Sequence, residues 1–516
     1  MHPYTRFFPH RISQDELTTA PLIHAGLLID DHAVRVTFEG RSLSTLELRQ
    51  RVAALQQVLA ERGLRAGQRV AVMLGNSDDQ IVLIYALILS GLVWIPINTK
   101  LRGPGLDYPF EHARPDLVVG DAEFAERLAA SAASAAADLD YVGIDVLHEQ
   151  ALACPDASLR LEDSAAQATL CVIYTSGTTG APKGVVFTHR MLRIASEAVL
   201  QVADVKAGDR LLLWEPLCHI GGAQMLLMPF LAEVSLNVVQ RFSASKFWAQ
   251  CVQVQATQLH YLGGIIDILM QQPTEQWPAR HALRTLWGAG VSLANWAAIE
   301  QRFGCPLREC YGMTECSSFA TLNRTGKPGS IGRALPWLSL ELLDPYGQPV
   351  EVGQLGEIVL SSEVEGVFLP GYLDNPEATD AALRNGRLFT GDMARMDAEG
   401  DLFFVGRRTD SMRVRGENVS AWEVERVFSA HPAVQACAAV GVESAVGEQE
   451  ILLFVQLQAA ATPDWPTMLE WAAPRCASYQ LPRYYQQVEH FELTPSERIK
   501  KHLLPKDVGQ AWDSRR

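Results

Sequence analysis

The run from Ile81 to Ile97, IVLIYALILSGLVWIPI, carries no charge and approaches the roughly 18 apolar residues that a membrane span requires. Its interruptions favour a protein core instead. Ser90, Gly91 and Pro96 break the run, and Asn76-Ser77-Asp78 just before it supplies N-cap chemistry for a helix. With the preceding RVAVML, the segment reads as strand, buried helix, glycine stop and second strand. Apolar runs alternating with helical patterns continue to about Gly290, which implies layered α/β architecture with mostly parallel sheets. Strand candidates include Val118, Cys171 to Tyr174, Leu211 to Trp214 and Leu283 to Trp287. The alanine-rich stretch from Phe124 to Asp138 reads as a surface helix, since Ala has the highest helix propensity.

From about Ser330 the pattern changes to short strands separated by glycine turns, DPYGQP, VGQLGEI and DAEGDLFFVG, which predicts a small antiparallel, β-barrel-like unit. After Asp410 a compact α+β pattern follows: a helix from about Ala421 to Ala430, strands near Ala436 to Val442 and Ile451 to Leu457, then a polar, basic tail. A chain of 516 residues is too long for one ordinary core and implies roughly two to four units. The expected division is 1–406 for a large N-terminal domain, 407–410 for a hinge and 411–516 for a small mobile domain.

A formal net charge of −15 opposes non-specific binding to nucleic acid or to an anionic membrane, so any anionic ligand must be held by local donors. The nine cysteines form no CxxC pair, and their spacing suits neither a disulfide framework nor a zinc site. They imply a reducing, cytoplasmic compartment. The N-terminus has no basic stretch followed by an apolar segment, so no secretory signal is expected.

The most specific local signal is YTSGTTGAPKG, Tyr174 to Gly184, directly after the apolar LCVI. Glycines let backbone N–H groups approach phosphate oxygens, hydroxyls add donors, and Lys183 supplies charge. A triphosphate is a fitting ligand. The loop is not a Walker A motif, because Gly184 and Val185 follow the lysine where that motif needs Ser or Thr.

This string resembles the phosphate-binding signature of the adenylate-forming superfamily, which contains acyl-CoA synthetases, adenylation domains of non-ribosomal peptide synthetases and luciferase. The resemblance extends over about residues 25 to 505. It implies that Thr175, Ser176, Gly177, Thr178, Thr179, Gly180 and Lys183 hold the ATP phosphates. YGMTE then matches the motif in which Tyr311 packs on adenine beside Gly312, Thr314 meets the α-phosphate and Glu315 binds Mg²⁺, a hard carboxylate for a hard cation. Gly288 and Ala289 of WGAG occupy the turn lining the adenine and acyl pockets. Asp392 of TGD and Arg407 match the ribose contacts, Asp410 the hinge residue, and His219 a residue at the mouth of the acyl site. RVRGENVS is similar to the loop lining the pantetheine channel, with Gly416 as its close-approach position.

The resemblance implies an ATP-dependent carboxylic acid:CoA ligase that uses Mg²⁺ and coenzyme A; the alternative is an adenylation-only or non-catalytic acyl- or nucleotide-binding member. RGENVS and HIGG are similar to the branch containing crotonobetaine/carnitine-CoA ligase. Apolar residues around Tyr261 to Met270 suit a medium-chain, aromatic or alicyclic acid, and Asp267 is either a candidate for attracting a cation or a surface residue of an amphipathic helix. One departure concerns the C-terminus. Where the family has a GK dipeptide whose lysine bridges carboxylate and α-phosphate, this chain reads TPSERIKKHLL, with Glu497 and Arg498 in those places. Arginine keeps the charge but is planar and bulkier. Lys500, two residues on, faces the same side of an extended segment, so the adenylation cation is Arg498 or Lys500. Apolar stripes do not separate a core from a dimer face, so the sequence assigns no oligomeric state.

Overall fold

The computed structural model describes residues 18–129, 140–162, 164–175, 181–273, 277–278, 280–291, 293, 295–407, 411–444, 447–459, 461–492, 499 and 501–515. The uncharged run folds as its punctuation predicts. The helix Asp78–Leu89 is capped by Ser77, whose side chain accepts from the Gln80 N–H, and Ile81 to Leu89 are all buried. Gly91 takes a positive φ of 65°, which ends the helix and turns the chain into the strand Val93–Pro96. That strand pairs in parallel with Arg69–Met73 and is buried throughout. Protein therefore covers the run except at Ser90 and Gly91, which are half-buried. Among the described residues no helix is long and apolar enough to cross a membrane.

Two sheets build the large domain. One has the order Tyr141–Gly143, Leu117–Gly120, Arg69–Met73, Val93–Pro96, Thr169–Thr175, Lys183–Thr188, parallel except for the last pair. The other has the order Arg333–Ala334, Ser318–Leu322, Leu307–Met313, Thr285–Ala289, Gln258–Leu262, Arg210–Leu213, Ser235–Val238, Val34–Phe38, Arg41–Ser44, parallel through its centre and antiparallel at both ends. The helix His189–Val202 is buried along nearly its whole length and carries an internal ion pair, Arg193 to Glu197 at 2.8 Å. Of the alanine-rich stretch, Ala122–Ala129 is helical with Phe124 and Leu128 buried; residues 130–139 lie outside the described residues.

The small β unit is antiparallel, with Ser339–Leu343, Leu355–Ser361, Arg387–Met396 and Leu383–Arg384 in order and Leu402–Arg407 added on Arg387–Met396. The C-terminal domain has its own apolar core, running from Met412 and Val414 through Phe428 and Leu453 to Tyr485. Its helix Ala421–Ser429 and strands Val434–Glu443 and Gln449–Leu457 match the expected elements. The expected polar tail is a correction. Residues after Leu457 form the helix Trp465–Ala472, capped by Asp464, and the strands Tyr484–Gln487 and Trp512–Asp513, which extend the same sheet. Polar residues there alternate with buried ones such as Met468, Ala472 and Tyr485, and burial of those few suffices to order the segment. All nine cysteines are free.

Candidate active site

The phosphate-loop candidate is the tip of a hairpin. Thr175 ends one strand and Lys183 begins the next, and the two residues pair directly. Ser176, Gly177, Thr178, Thr179 and Gly180 lie outside the described residues, as do Asp410, Arg498 and Lys500. Gly371 to Leu373 runs beside the second strand, with the Val186 N–H donating to Gly371 O and the Leu373 N–H to Gly184 O. This brings Tyr372 between two candidates distant in sequence. Lys183 Nζ lies 4.9 Å from the Tyr372 ring centroid, and the Tyr372 hydroxyl donates to Glu315 Oε1 at 2.8 Å. Tyr372 carried no sequence signal, because its role arises from strand neighbours nearly two hundred positions away.

Thr314–Cys316 form a single 3-10 turn after the strand Leu307–Met313, with Thr314 and Glu315 buried. Ser317 and Ser318 both have positive φ, 59° and 78°, unusual for residues with side chains. Hydrogen bonds hold them there: Ser317 Oγ donates to Val367 O at 2.5 Å and Ser318 Oγ to Gln224 Oε1. Gly312 is required by close approach, since a Cβ there would lie 2.0 Å from Ser318 O. The tight return keeps Glu315 against Tyr372. Among the described residues no group of three or more His, Cys, Asp or Glu could hold a metal.

Asp392 is buried, and the Tyr311 hydroxyl donates to its Oδ2 at 2.7 Å. The Tyr311 ring stacks on Phe404 with centroids 6.0 Å apart. Burial and the Asp392 carboxylate both push the Tyr311 pKa upward, so the phenol stays a donor. Arg407, described through its backbone, is the register partner of Asp392 on the next strand. Gly288, with φ 155°, packs so closely on Tyr261 O that no side chain fits, and Ala289 ends the same strand. Beneath this turn Glu309 accepts from the Tyr261 hydroxyl at 2.5 Å and from the Gly290 and Val291 N–H groups. Burial pushes its carboxyl up to about 7 despite those donors.

The C-terminal domain reaches this region through the hairpin Ser411–Val414 and Glu417–Ser420. Arg415 and Gly416 form its turn, with φ of 51° and 78°. A Cβ on Gly416 would meet nothing within 4 Å, so within the protein the turn conformation, and no close approach, requires glycine there. The turn delivers Glu417, which lies 2.9 Å from His219 Nε2 and 2.8 Å from Lys100 Nζ. Burial opposes charge on both partners. Cys218 and Glu417 outweigh it at His219 and hold the imidazole pKa well above its usual value, while His219 and Lys100 bring Glu417 down to about 2. The Asn98 amide also donates to the Tyr479 hydroxyl at 3.3 Å. Glu417 and Lys100 were not singled out by the sequence, which gives no sign of which domain faces meet.

Comparison with known proteins gives two family matches: an AMP-binding enzyme model over residues 29–373 and an AMP-binding enzyme C-terminal domain model over residues 423–498. A crotonobetaine/carnitine–CoA ligase from Salmonella paratyphi A is 30% identical over 465 residues, 86% of this chain and 90% of that protein. A feruloyl-CoA synthase from an Amycolatopsis species is 30% identical over 486 residues, 93% and 96% of the two chains. A solved structure of a double mutant of o-succinylbenzoate CoA synthetase from Bacillus subtilis, bound with its product analogue, has a TM-score of 0.82 at 22% identity and covers 94% of this chain and 97% of its own.

Proposed function

The chain belongs to the AMP-binding enzyme family, and from that premise we propose that it is an ATP-dependent carboxylic acid:CoA ligase. It forms an acyl-adenylate with release of pyrophosphate, then an acyl-CoA thioester with release of AMP. A carboxylate is a poor electrophile, and attack on the α-phosphorus of ATP converts it into a mixed anhydride with AMP as leaving group. Crowded negative charge opposes the first step, so its catalysis is mainly positioning and charge neutralisation.

The observation that carries this reading is the convergence of Lys183 and Glu315 on the two sides of Tyr372. A cation and a carboxylate so held match the needs of a triphosphate and its metal. In our reading Thr175 to Gly180 and Lys183 bind the phosphates, Thr314 the α-phosphate, Tyr311, Gly312, Gly288 and Ala289 the adenine, and Asp392 and Arg407 the ribose. Mg²⁺ would be held by Glu315 and would neutralise phosphate charge. Residues 407–410 act as the hinge between 1–406 and 411–516. The contact of Glu417 with His219 and Lys100 supports assigning the arrangement described here to thioester formation, with Gly416 beside the pantetheine path.

Pyrophosphate release and thioester formation across a panel of acids, with ATP, Mg²⁺ and CoA, test the proposal. Both should appear with at least one acid. Lys183→Ala and Glu315→Ala should each lower pyrophosphate release by about a hundredfold or more, in the range of losing one preorganised electrostatic group. Wild-type turnover in both variants at saturating nucleotide would refute the placement of the triphosphate.

A further inference from the structure

We infer that the acyl site carries a second recognition point, the Glu215–His260 pair, and that the acid it takes bears a hydrogen-bond donor, a hydroxyl or an amino group, away from its carboxylate. This rests on the ligase reading above, which puts His219 and the Gly288-Ala289 turn at the acyl site.

The pair is built from neighbouring strand ends. Glu215 follows the strand Arg210–Leu213, and His260 lies in the adjacent strand Gln258–Leu262. Each side chain is 4% exposed, and Glu215 Oε1 lies in close contact with His260 Nδ1. Both are anchored by their backbones. Asn76 Nδ2 donates to Glu215 O at 2.8 Å, and Trp214 Nε1 donates to His260 O at 3.0 Å. The imidazole stacks on Trp287 with centroids 4.1 Å apart and 18° between planes, while Phe319 meets both rings edge-on. A pair locked in this way pays little further ordering cost when it binds a partner.

Its hydrogen bonding is incomplete. Glu215 Oε2 is buried and has no donor among the described residues. A buried carboxylate oxygen left unpaired costs free energy that a bound donor recovers. Gly221, two residues after His219, lies over the other carboxylate oxygen and the edge of the imidazole, and links the pair to the His219 segment. A Cβ built on Gly221 finds Glu215 Oε1 at 3.3 Å, His260 Cε1 at 3.4 Å and Glu215 Cδ at 3.7 Å as its nearest atoms. Any side chain there would cover the pair. Trp287, which floors the imidazole and is the register partner of His260 on the neighbouring strand, directly precedes Gly288, so the pair packs against the strand that carries the turn lining the site.

Steady-state thioester formation by the wild-type enzyme on matched acids tests the inference. Each set shares one aliphatic or aryl frame and carries a hydroxyl, an amino group or a methyl at the same distal position. For at least one frame kcat/KM should be tenfold or more higher with a donor than with methyl, because a site with an unpaired buried acceptor rejects the isostere lacking the donor. The hydroxyl and amino arms identify which donor it is. Glu215→Gln keeps the shape, and with its carbonyl turned to His260 it presents an NH₂ to the substrate. Gly221→Ala leaves the charge intact but covers the pair. Both should shrink the donor preference at least fivefold. Equal or better use of the methyl acids by wild type overturns the inference while leaving the ligase reading intact, as does an unchanged preference in both variants. Absence of pyrophosphate and thioester with every acid overturns the ligase reading and this inference together. If either variant fails to fold, the wild-type ratios decide alone.

Discussion

Glu309 shows how one buried carboxyl converts packing into pH dependence. Burial raises its pKa from 4.5 to about 7, against the lowering effects of the Tyr261 hydroxyl and the Gly290 and Val291 N–H groups. The folded state therefore binds more protons than the unfolded state between those values, and stability falls as pH rises from about 4.5 to about 7. Glu309→Gln keeps an acceptor for the two N–H groups and removes the titration. Thermal unfolding across pH 5 to 8 should show the variant close to wild type at pH 5 and more stable than wild type at pH 8. A wild-type curve without that decline would refute the buried, raised carboxyl. Tyr372 makes a different point at the same scale: its ring meets Lys183 and its hydroxyl meets Glu315, so one side chain aligns two charges that the sequence lists far apart.

The hairpin Ser411–Val414 and Glu417–Ser420 is the element on which the second half-reaction depends in our reading. Its two-residue turn needs positive φ at Arg415 and Gly416, and glycine satisfies the second at no steric cost. A β-branched residue at 416 costs roughly 1–2 kcal/mol in that conformation. Gly416→Val should therefore slow thioester formation by about tenfold, the kinetic equivalent of that cost, while acyl-adenylate formation changes little. Single-turnover assays that follow pyrophosphate and thioester separately distinguish the two. Equal loss of both steps in a folded variant would contradict a hairpin role confined to the second. The segment after Leu457 teaches an opposite lesson, because an apparently polar tail is a helix and two strands completing the same sheet.

At the scale of the whole molecule, the two domains meet through a charged contact, Glu417 with His219 and Lys100. In our reading this arrangement serves thioester formation, and adenylation would call on another face of the same domain. Arg498 and Lys500 are the sequence candidates for the cation it presents. Arg498→Ala should impair adenylation while a chemically supplied acyl-adenylate is still converted to thioester, since the cation acts where carboxylate and α-phosphate meet. A large adenylation defect in Lys500→Ala with near-normal Arg498→Ala would move the role to Lys500. The docked contact has its own pH range. Glu417 favours it above pH 4.5 and ceases to as pH falls through about 2; His219 favours it below its ordinary pKa and ceases to as pH rises through its raised one.

The amino-acid sequence by itself determined the layered α/β class, the small antiparallel unit and the compact C-terminal domain, because apolar periodicity, caps and glycine turns act over a few residues. It also determined which residue types stand in YTSGTTGAPKG, YGMTE and TGD, since their chemistry lies in short strings. Tertiary structure alone decided the pairings of Lys183 with Tyr372, Glu215 with His260, and His219 with Glu417. Each joins side chains that strand order or domain docking makes neighbours. Side-chain contact falls off within a few ångströms, whereas local sequence patterns carry no record of which distant strand, or which face of a second domain, comes to lie alongside.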